Sequence, residues 1–572
     1  MKKRWSIKPE GNQQTIERLS QELNINPVLA QLLVQRGITS FDDARSFFRP
    51  NLREQHNPFL MKDMEPAVER IDLAAARNER ILIYGDYDVD GTTSVALVYS
   101  FLSAHLDIDR LDFYIPNRYD EGYGISTKGI DYAHSTGCTL VIALDCGIKA
   151  VEKVEYARSL GIDFIICDHH TPGDTLPQAA ACLDPKRDDC PYPDKNLSGC
   201  GVGFKLMQAY CRFKGYREAD LLRHLDLLAV SIASDIVPIT GENRILAYYG
   251  LRQLNDSPSL GLKAIIKVAG LEGKPITISD IVFKIGPRIN AAGRIDSGAD
   301  AVRLLLSNEV ESAKLMSSDI DESNEKRKDL DRTITHQALD MLRSDSRLHE
   351  RKSTVLFNPG WTKGVIGIVA SRLTEVYYRP TVILTESKGL ATGSARSVEG
   401  FDLYRAIEAC ADLLETFGGH TYAAGLSMKI ENVERFRERF EQYVADNIRP
   451  EQMQPQIDID AVLHLSSITP KFFGILSQFE PFGPGNMKPV FVTERVFDVG
   501  TSKTVGRDRS HLKLEVIEDR NRDIKEGVGF GLGEHIDAIR QGRPFGICYT
   551  IEENEFRGQK NLQLMVRDIH FD

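Results

Sequence analysis

Asp86, Asp88 and Asp90 stand at alternating positions ahead of Gly91, a spacing that gathers carboxylates around a divalent cation. Three more segments end in residues of the same chemistry. Leu140–Leu144 runs into Asp145, Ile162–Cys167 into Asp168-His169-His170, and the apolar stretch Leu225–Ile232 into Asp235. Carboxylate oxygens with imidazole nitrogen suit Mn²⁺, Mg²⁺ or Zn²⁺, and one carboxylate can bridge two ions. Two such ions about 3.5–4 Å apart hold the attacking and leaving oxygens of a phosphoryl displacement. A calcium loop of the EF-hand type also opens with this triplet, but it needs a glutamate at its twelfth position, where this chain has Leu97.

The elements ahead of these residues read as strands. Ile81-Leu82-Ile83-Tyr84 is short, apolar and β-branched, and strand-like runs alternate with helical patterns at Ser94–His105 and Lys149–Leu160 from about Glu65 to Ser234. That alternation predicts an α/β fold on a parallel sheet. Ligands collect outside the carboxyl ends of such strands, so the separate segments, the one before Asp235 included, are expected to converge on one crevice. Gly199-Cys200-Gly201-Val202-Gly203 lacks the last spacing of a dinucleotide loop and is expected as a turn opening a helix at Phe204–Phe213. Between Gly298 and Gly360 there is no glycine, and helical spacing predicts a long connecting helix.

Length and composition bound the rest. A chain of 572 residues predicts three or four domains, and the net charge of −11 leaves no overall footprint for nucleic acid, so any basic binding surface must be local. Met1-Lys2-Lys3-Arg4 precedes no apolar core, and no span is long enough for a membrane helix, which predicts a cytoplasmic protein. Nine cysteines without a CxxC pair read as reduced, buried thiols.

The constellation around Asp168-His169-His170 resembles the DHH phosphoesterase superfamily. Further motifs extend the likeness over nearly all of the chain, among them Pro116–Gly124, Asp145-Cys146-Gly147, Gly286–Arg294, Gly418-Gly419-His420 and Phe479–Asn486. Within that superfamily the chain looks like an exonuclease that degrades single-stranded DNA from its 5′ end to mononucleotides, in recombination and repair. The resemblance implies an N-terminal helical segment at 1–50, buttressing a parallel-sheet DHH catalytic domain at 51–298. It further implies a connecting helix region at 299–351, a smaller α/β DHHA1 domain at 352–450 and an OB-like β-barrel at 456–572. Strand polarity and the preference for DNA come from this resemblance alone.

By the same resemblance, Asp86, Asp88 and Asp145 hold one metal, and Asp90, Asp145, His169 and Asp235 the other, with Asp145 as the bridge. Mn²⁺ is favoured and Mg²⁺ possible, because Mg²⁺ prefers all-oxygen shells. His170 lies too close to a ligand to serve the same ion and is assigned to the scissile phosphate, with Asp168 fixing an imidazole. Substrate contacts are expected from Arg118, from Arg288, Asn290 and Arg294 in a loop, and from Ser394, Arg396, Gly419 and His420, where small residues and donors admit an anion. In the barrel, Lys503, Arg507, Arg509 and Lys513 near His511, with Phe530 and Phe556 as stacking faces, suit single strands. The turn Phe482–Asn486 is expected to connect the barrel to the catalytic half. The implied partners are single-stranded DNA, single-stranded-DNA-binding protein and a RecQ-type helicase, with a monomer expected. A phosphatase for small nucleotides and a non-catalytic DNA-binding scaffold are the competing readings. The extra terminal domains speak against the first and the intact ligand set against the second.

Overall fold

The computed structural model describes residues 3–295, 297–344, 350–518, 523–556 and 558–571, apart from the side chains of residues 295 and 556. The chain divides into two compact units. One comprises Gln55–Val237 with Gly241–Gln454, the other Met1–Glu54, Pro238–Thr240 and Pro455–Asp572.

The first unit carries the expected parallel sheet. Its strands lie in the order Leu111–Tyr114, Arg80–Gly85, Cys138–Leu144, Asp163–Cys167 and Ala181–Leu183, all parallel, with Tyr84 opposite Ala143 and Leu144 opposite Cys167. Leu82, Ile83, Val141, Ile142, Ile165 and Ile166 are fully buried, which is why these strands read as continuous apolar runs instead of alternating ones. One face packs on the helices Val89–Ser103 and Gly199–Lys214, and Leu225–Ser234 packs on those two helices in turn. The other buries Ile130, Ala133, Val154 and Ala157 from the two crossover helices.

Three local expectations are corrected. The segment before Asp235 is a helix, Leu225–Ser234; ten residues rich in leucine and alanine exceed the usual strand, and apolarity on all sides marks a buried helix as readily as a buried strand. Gly199 to Gly203 form no preceding turn but the first turn of the helix Gly199–Lys214, with Ser198 capping Gly201 N. Arg288, Asn290 and Arg294 lie on the helix Gly286–Ile295, which continues a π-helical turn at Ile281–Ile285, and not in a loop. The Gly-Pro pair reads as a break, yet the helical run passes through it, with the wider π-helical turn standing just ahead of the position where Pro287 has no N–H to donate.

A helix of 35 residues, Val310–Ser344, leads to a second sheet ordered Thr416–Gly419, Ala423–Lys429, Leu390–Arg396, Thr381–Ser387 and Thr354–Phe357. Only the last pair is parallel. Helices Leu403–Glu408 and Val433–Asn447 cover one face, burying Phe436 and Phe440. The other face meets Val365, Val369 and Leu373, together with Ile334, Ala338 and Leu342 of the long helix.

In the second unit, Phe491–Asp498 pairs with both Phe545–Phe556 and His511–Glu518, closing the sheet into a barrel. The N-terminal segment, expected to buttress the catalytic domain, belongs to this unit instead. Arg4–Ile7 pairs with Gln456–Ile459, and Leu29, Leu32, Leu33 and Ala44 join the same buried cluster as Phe472, Phe491 and Tyr549. The turn Phe482–Asn486, expected to connect the barrel to the catalytic half, meets residues 238–240 of the 51–298 segment, which belong to this unit. Asn486 donates to Phe479 O and Pro481 O, Arg36 donates to Asn486 Oδ1, and Ile239 N donates to Pro484 O. All nine cysteines are buried and free. Among the described residues no helix is long and apolar enough to cross a membrane.

Candidate active site

The carboxyl end of the parallel sheet gathers the acidic residues. Asp86 follows the strand Arg80–Gly85, Asp88 caps the helix Val89–Ser103 by accepting from Gly91 N at 3.0 Å, and Asp90 occupies that helix's first turn. Gly91 is required by the tight return of the chain, since a Cβ there would lie 2.4 Å from Asp86 O. Asp145 leaves its strand in the left-handed region at φ 59°, uncommon for a residue with a Cβ. Helix Gly199–Lys214 presses against it so closely that a Cβ on Gly199 would sit 2.5 Å from Asp145 Cβ.

His169 is the centre of the cluster. Its Nε2 lies 3.2 Å from Asp145 Oδ1, 3.5 Å from Asp235 Oδ2 and 3.9 Å from Asp90 Oδ2. The ring is buried, yet neither nitrogen has a hydrogen-bond partner among the described residues. A buried imidazole left in that state, faced by three carboxylates, is what a metal ligand looks like before its ion is drawn in. Asp145, His169 and His170, and separately Asp90, His169 and Asp235, place ligand atoms within 4.8 Å of one another. Asp88 lies close enough for its charge to act on Asp145.

The electrostatics agree with that reading. Burial first, then Asp90, Asp88 and Asp235, hold the Asp145 carboxyl well above its usual range. Burial and Asp88 raise Asp86, while burial, Asp90 and Asp88 push Asp235 up to about 9. Burial also lowers the His169 pKa against the pull of Asp90, which favours the neutral imidazole a metal ligand needs. Carboxylates crowded in this way stay ionised only beside compensating positive charge.

Asp168 serves differently. Its Oδ1 accepts from His170 Nδ1 at 2.7 Å, His169 N at 2.7 Å and His170 N at 3.1 Å, and its Oδ2 from Ile148 N at 2.9 Å. Burial would raise this carboxyl, but the His170 bond and charge outweigh it and hold it down at about 2. For His170 burial acts downward, and Asp168 with Asp90 and Asp88 carries the net shift upward.

Beside this centre lies a cavity of about 430 Å³ lined by Arg118, Arg294, Ser394 and Arg396, four of the expected substrate residues. Arg118 stacks 4.8 Å over the Tyr87 ring, Arg294 donates to Gly364 O at 2.7 Å, and Arg396 to Ser394 Oγ at 2.8 Å. The other four lie outside that lining. Arg288 is buried in an ion pair with Asp321 at 2.8 Å and donates to Lys284 O, so its guanidinium is engaged with the connecting helix. Asn290 is half-buried on the same helix, and Gly419 and His420 sit at the edge strand, two strands from Ser394. In the barrel, Lys513 pairs with Glu526, and Phe530 is exposed beside His511; the Phe556 side chain lies outside the described residues.

Sequence reasoning missed Tyr123, whose hydroxyl donates to Asp145 O and meets the His170 ring, and Ser231, which donates to Asp90 Oδ1 at 2.7 Å. It also missed Asp184, a buried strand-end aspartate whose carboxyl burial pushes up to about 7. The short run Ala181–Leu183 ahead of Asp184 was its signal.

Three family models match the chain in order: the DHH family N-terminal domain over residues 80–232, the DHHA1 domain over 351–446 and the RecJ OB domain over 459–568. The single-stranded-DNA-specific exonuclease RecJ of Bacillus subtilis is 36% identical over 569 residues, covering 99% of this chain and 71% of the relative. Its counterpart in Escherichia coli is 32% identical over 563 residues, covering 95% of this chain and 96% of the relative. The crystal structure of RecJ in complex with Mn²⁺ from Thermus thermophilus superposes with a TM-score of 0.83 at 25% identity, covering all of this chain and 80% of the other. Identity at this level, sustained across all three matched domains, means that the chain belongs to the RecJ family.

Proposed function

We propose that this chain is a metal-dependent phosphodiesterase that removes nucleotides from the 5′ end of single-stranded DNA, acting in recombination and repair. One observation carries the reading: a buried, mutually repelling set of carboxylates around an unpartnered imidazole lies in the same unit as a cavity lined by arginines. The first demands cations and the second an anion, the two halves of a site for a strand end.

The donor set fits two divalent ions, with Asp86, Asp88 and Asp145 toward one, and Asp90, His169 and Asp235 with Asp145 toward the other. The nitrogen ligand favours Mn²⁺ over Mg²⁺. When bound, such ions supply positive charge to the scissile phosphate and a nucleophile near neutral pH. The chain's own groups do the rest. Asp90 is fixed for its task by Gly199 N, Cys200 N and Ser231 Oγ. Asp168 accepts from His170 Nδ1 and favours its protonated form, leaving the other nitrogen to donate to the phosphate or to the departing 3′-oxygen. Arg118, Arg294, Ser394 and Arg396 take the 5′-terminal phosphate, which sets the scissile bond one nucleotide further on. Asn290, Gly419 and His420 are assigned to the path of the strand, and the barrel's basic residues with Phe530 to the strand beyond. The same proposal has the chain act in the cytoplasm as a monomer, with single-stranded-DNA-binding protein and a RecQ-type helicase as the partners the family resemblance implies.

The test incubates the purified protein and Mn²⁺ with single-stranded oligonucleotides labelled at either end, beside duplex, RNA and an Asp145→Ala control. Release of the 5′ label as mononucleotide, with duplex intact and the variant inert, is expected. Strand binding without metal-dependent cleavage would overturn the reading.

A further inference from the structure

The cavity assigned to the strand's 5′ terminus holds more positive charge than a terminal monophosphate uses. Three guanidiniums converge there, and the helix Ile366–Tyr377 points its N-terminus, free of any side-chain cap, into the same space. A terminal phosphate carries a charge of about −1.5 to −2 near neutral pH, which these groups already match.

Two lysines stand further out. Lys363 lines the cavity, and Lys388 reaches Tyr119, another lining residue, through its carbonyl oxygen at 3.4 Å. Burial first, then Lys388 and Arg118, lower Lys363, so the two ammonium groups feel each other. Neither has an ion-pair partner among the described residues. The loop bearing Lys363 is also fixed in place. Arg294 donates to Gly364 O, Tyr119 donates to Arg294 O, and a Cβ on Gly364 would lie 2.3 Å from the Tyr119 hydroxyl. Like charges held side by side without a counter-charge raise the energy of the free protein and lower it when an anion arrives. The volume of about 430 Å³ falls within the range of about 300–1,000 Å³ that holds whole small molecules.

We propose that this pocket accepts strands ending in a linear 5′-triphosphate, the arginines binding the phosphate nearest the sugar and Lys363 with Lys388 the outer phosphates. The proposal rests on the pocket being the site of the 5′ terminus. Water attacks the first internal phosphorus and its P–O3′ bond breaks, with the 3′-oxygen taking up a proton. The terminal residue leaves as a nucleoside 5′-triphosphate with a 3′-hydroxyl, and the shortened strand keeps a 5′-phosphate for the next cycle.

The experiment uses the full chain and one single-stranded DNA sequence carrying a 5′-hydroxyl, 5′-monophosphate or 5′-triphosphate. Binding is followed by fluorescence anisotropy without metal, and the first product by chromatography with Mn²⁺. The wild type is expected to bind the triphosphate strand about tenfold more tightly than the monophosphate strand and to release nucleoside triphosphate first. In a Lys363→Ala, Lys388→Ala double variant that ratio falls to about one. A triphosphate strand that binds no better than the monophosphate, or survives while the monophosphate strand is degraded, overturns the proposal and leaves the exonuclease reading intact. An affinity ratio unchanged in the double variant overturns it too, since lysines serving internal phosphates affect all three strands alike. A monophosphate strand left uncut by the wild type refutes the underlying reading instead.

Discussion

At the residue scale the chemistry turns on which groups are charged. His170 owes its raised pKa to Asp168, since burial alone would lower it. A raised imidazole pKa means that the protonated donor is fully present at low pH and lost as pH rises through the folded value. Asp168→Asn removes the charge and leaves burial unopposed, so the alkaline limb of kcat against pH is expected to move to lower pH. On the alkaline side the rate falls by about tenfold, a part of the about 10²–10⁴ that acid–base catalysis contributes in full. A pH profile with an unmoved limb would remove His170 from proton transfer. The ligand types were legible because each sits next to an apolar run in sequence: the alternating aspartates, the strand-end Asp145 and the Asp-His-His triplet are local patterns. Tyr123 and Ser231 were not, because they reach the centre through tertiary packing and carry no local mark. The ion pair of Arg288 with Asp321 was hidden for the same reason, since only the fold brings the two together.

At the element scale the centre depends on close approach of backbone. Gly199 opens a helix against Asp145, with a would-be Cβ 2.5 Å from Asp145 Cβ and 2.6 Å from its Oδ1. Gly199→Ala forces either the helix or the carboxylate aside, at about 1–3 kcal/mol for overpacking. The expected result is a kcat lowered by about a hundredfold with circular dichroism unchanged, and Mn²⁺ affinity measured by calorimetry lowered with it. The glycine-rich stretch looked like a turn because glycine usually breaks helices; here its missing side chain is what lets helix and strand end meet. A second element-scale feature is the fully buried pair of Lys205 and Glu242, 3.0 Å apart, whose carboxylate also accepts from Tyr192 and His56 N, while Lys205 donates to His56 O. It ties the helix Gly199–Lys214 to Gly241–Asp256 and to the chain at residue 56. Lys205→Met leaves a buried carboxylate without its cation, at about 3–5 kcal/mol. Its thermal midpoint should drop by several degrees, and adding Glu242→Gln should restore part of the loss.

At the scale of the whole molecule, the parallel sheet, long helix, second sheet and barrel were all legible from periodicity and the family resemblance, whereas the partner of the N-terminal segment was not. Amphipathic helices declare that they have an apolar face and not what covers it. The structure places Leu29, Leu32 and Leu33, each fully buried, in the barrel's own cluster, sets Phe47 and Phe48 edge-on to Phe479 at 5.4 and 5.3 Å, and pairs Arg4–Ile7 with Gln456–Ile459. Each buried leucine contributes about 1.5–3 kcal/mol. Three of them, with the aromatic contacts and the strand pair, rival the total of about 5–15 kcal/mol that separates a folded domain from its unfolded chain. Deleting residues 1–54 is therefore expected to unfold the barrel at the far end of the sequence and to spare the parallel sheet. Hydrogen exchange should show amides of 455–572 losing protection by several orders of magnitude, with those of the strands Arg80–Gly85 and Cys138–Leu144 unchanged. Protection retained in the barrel would mean that its core closes without the N-terminal helices.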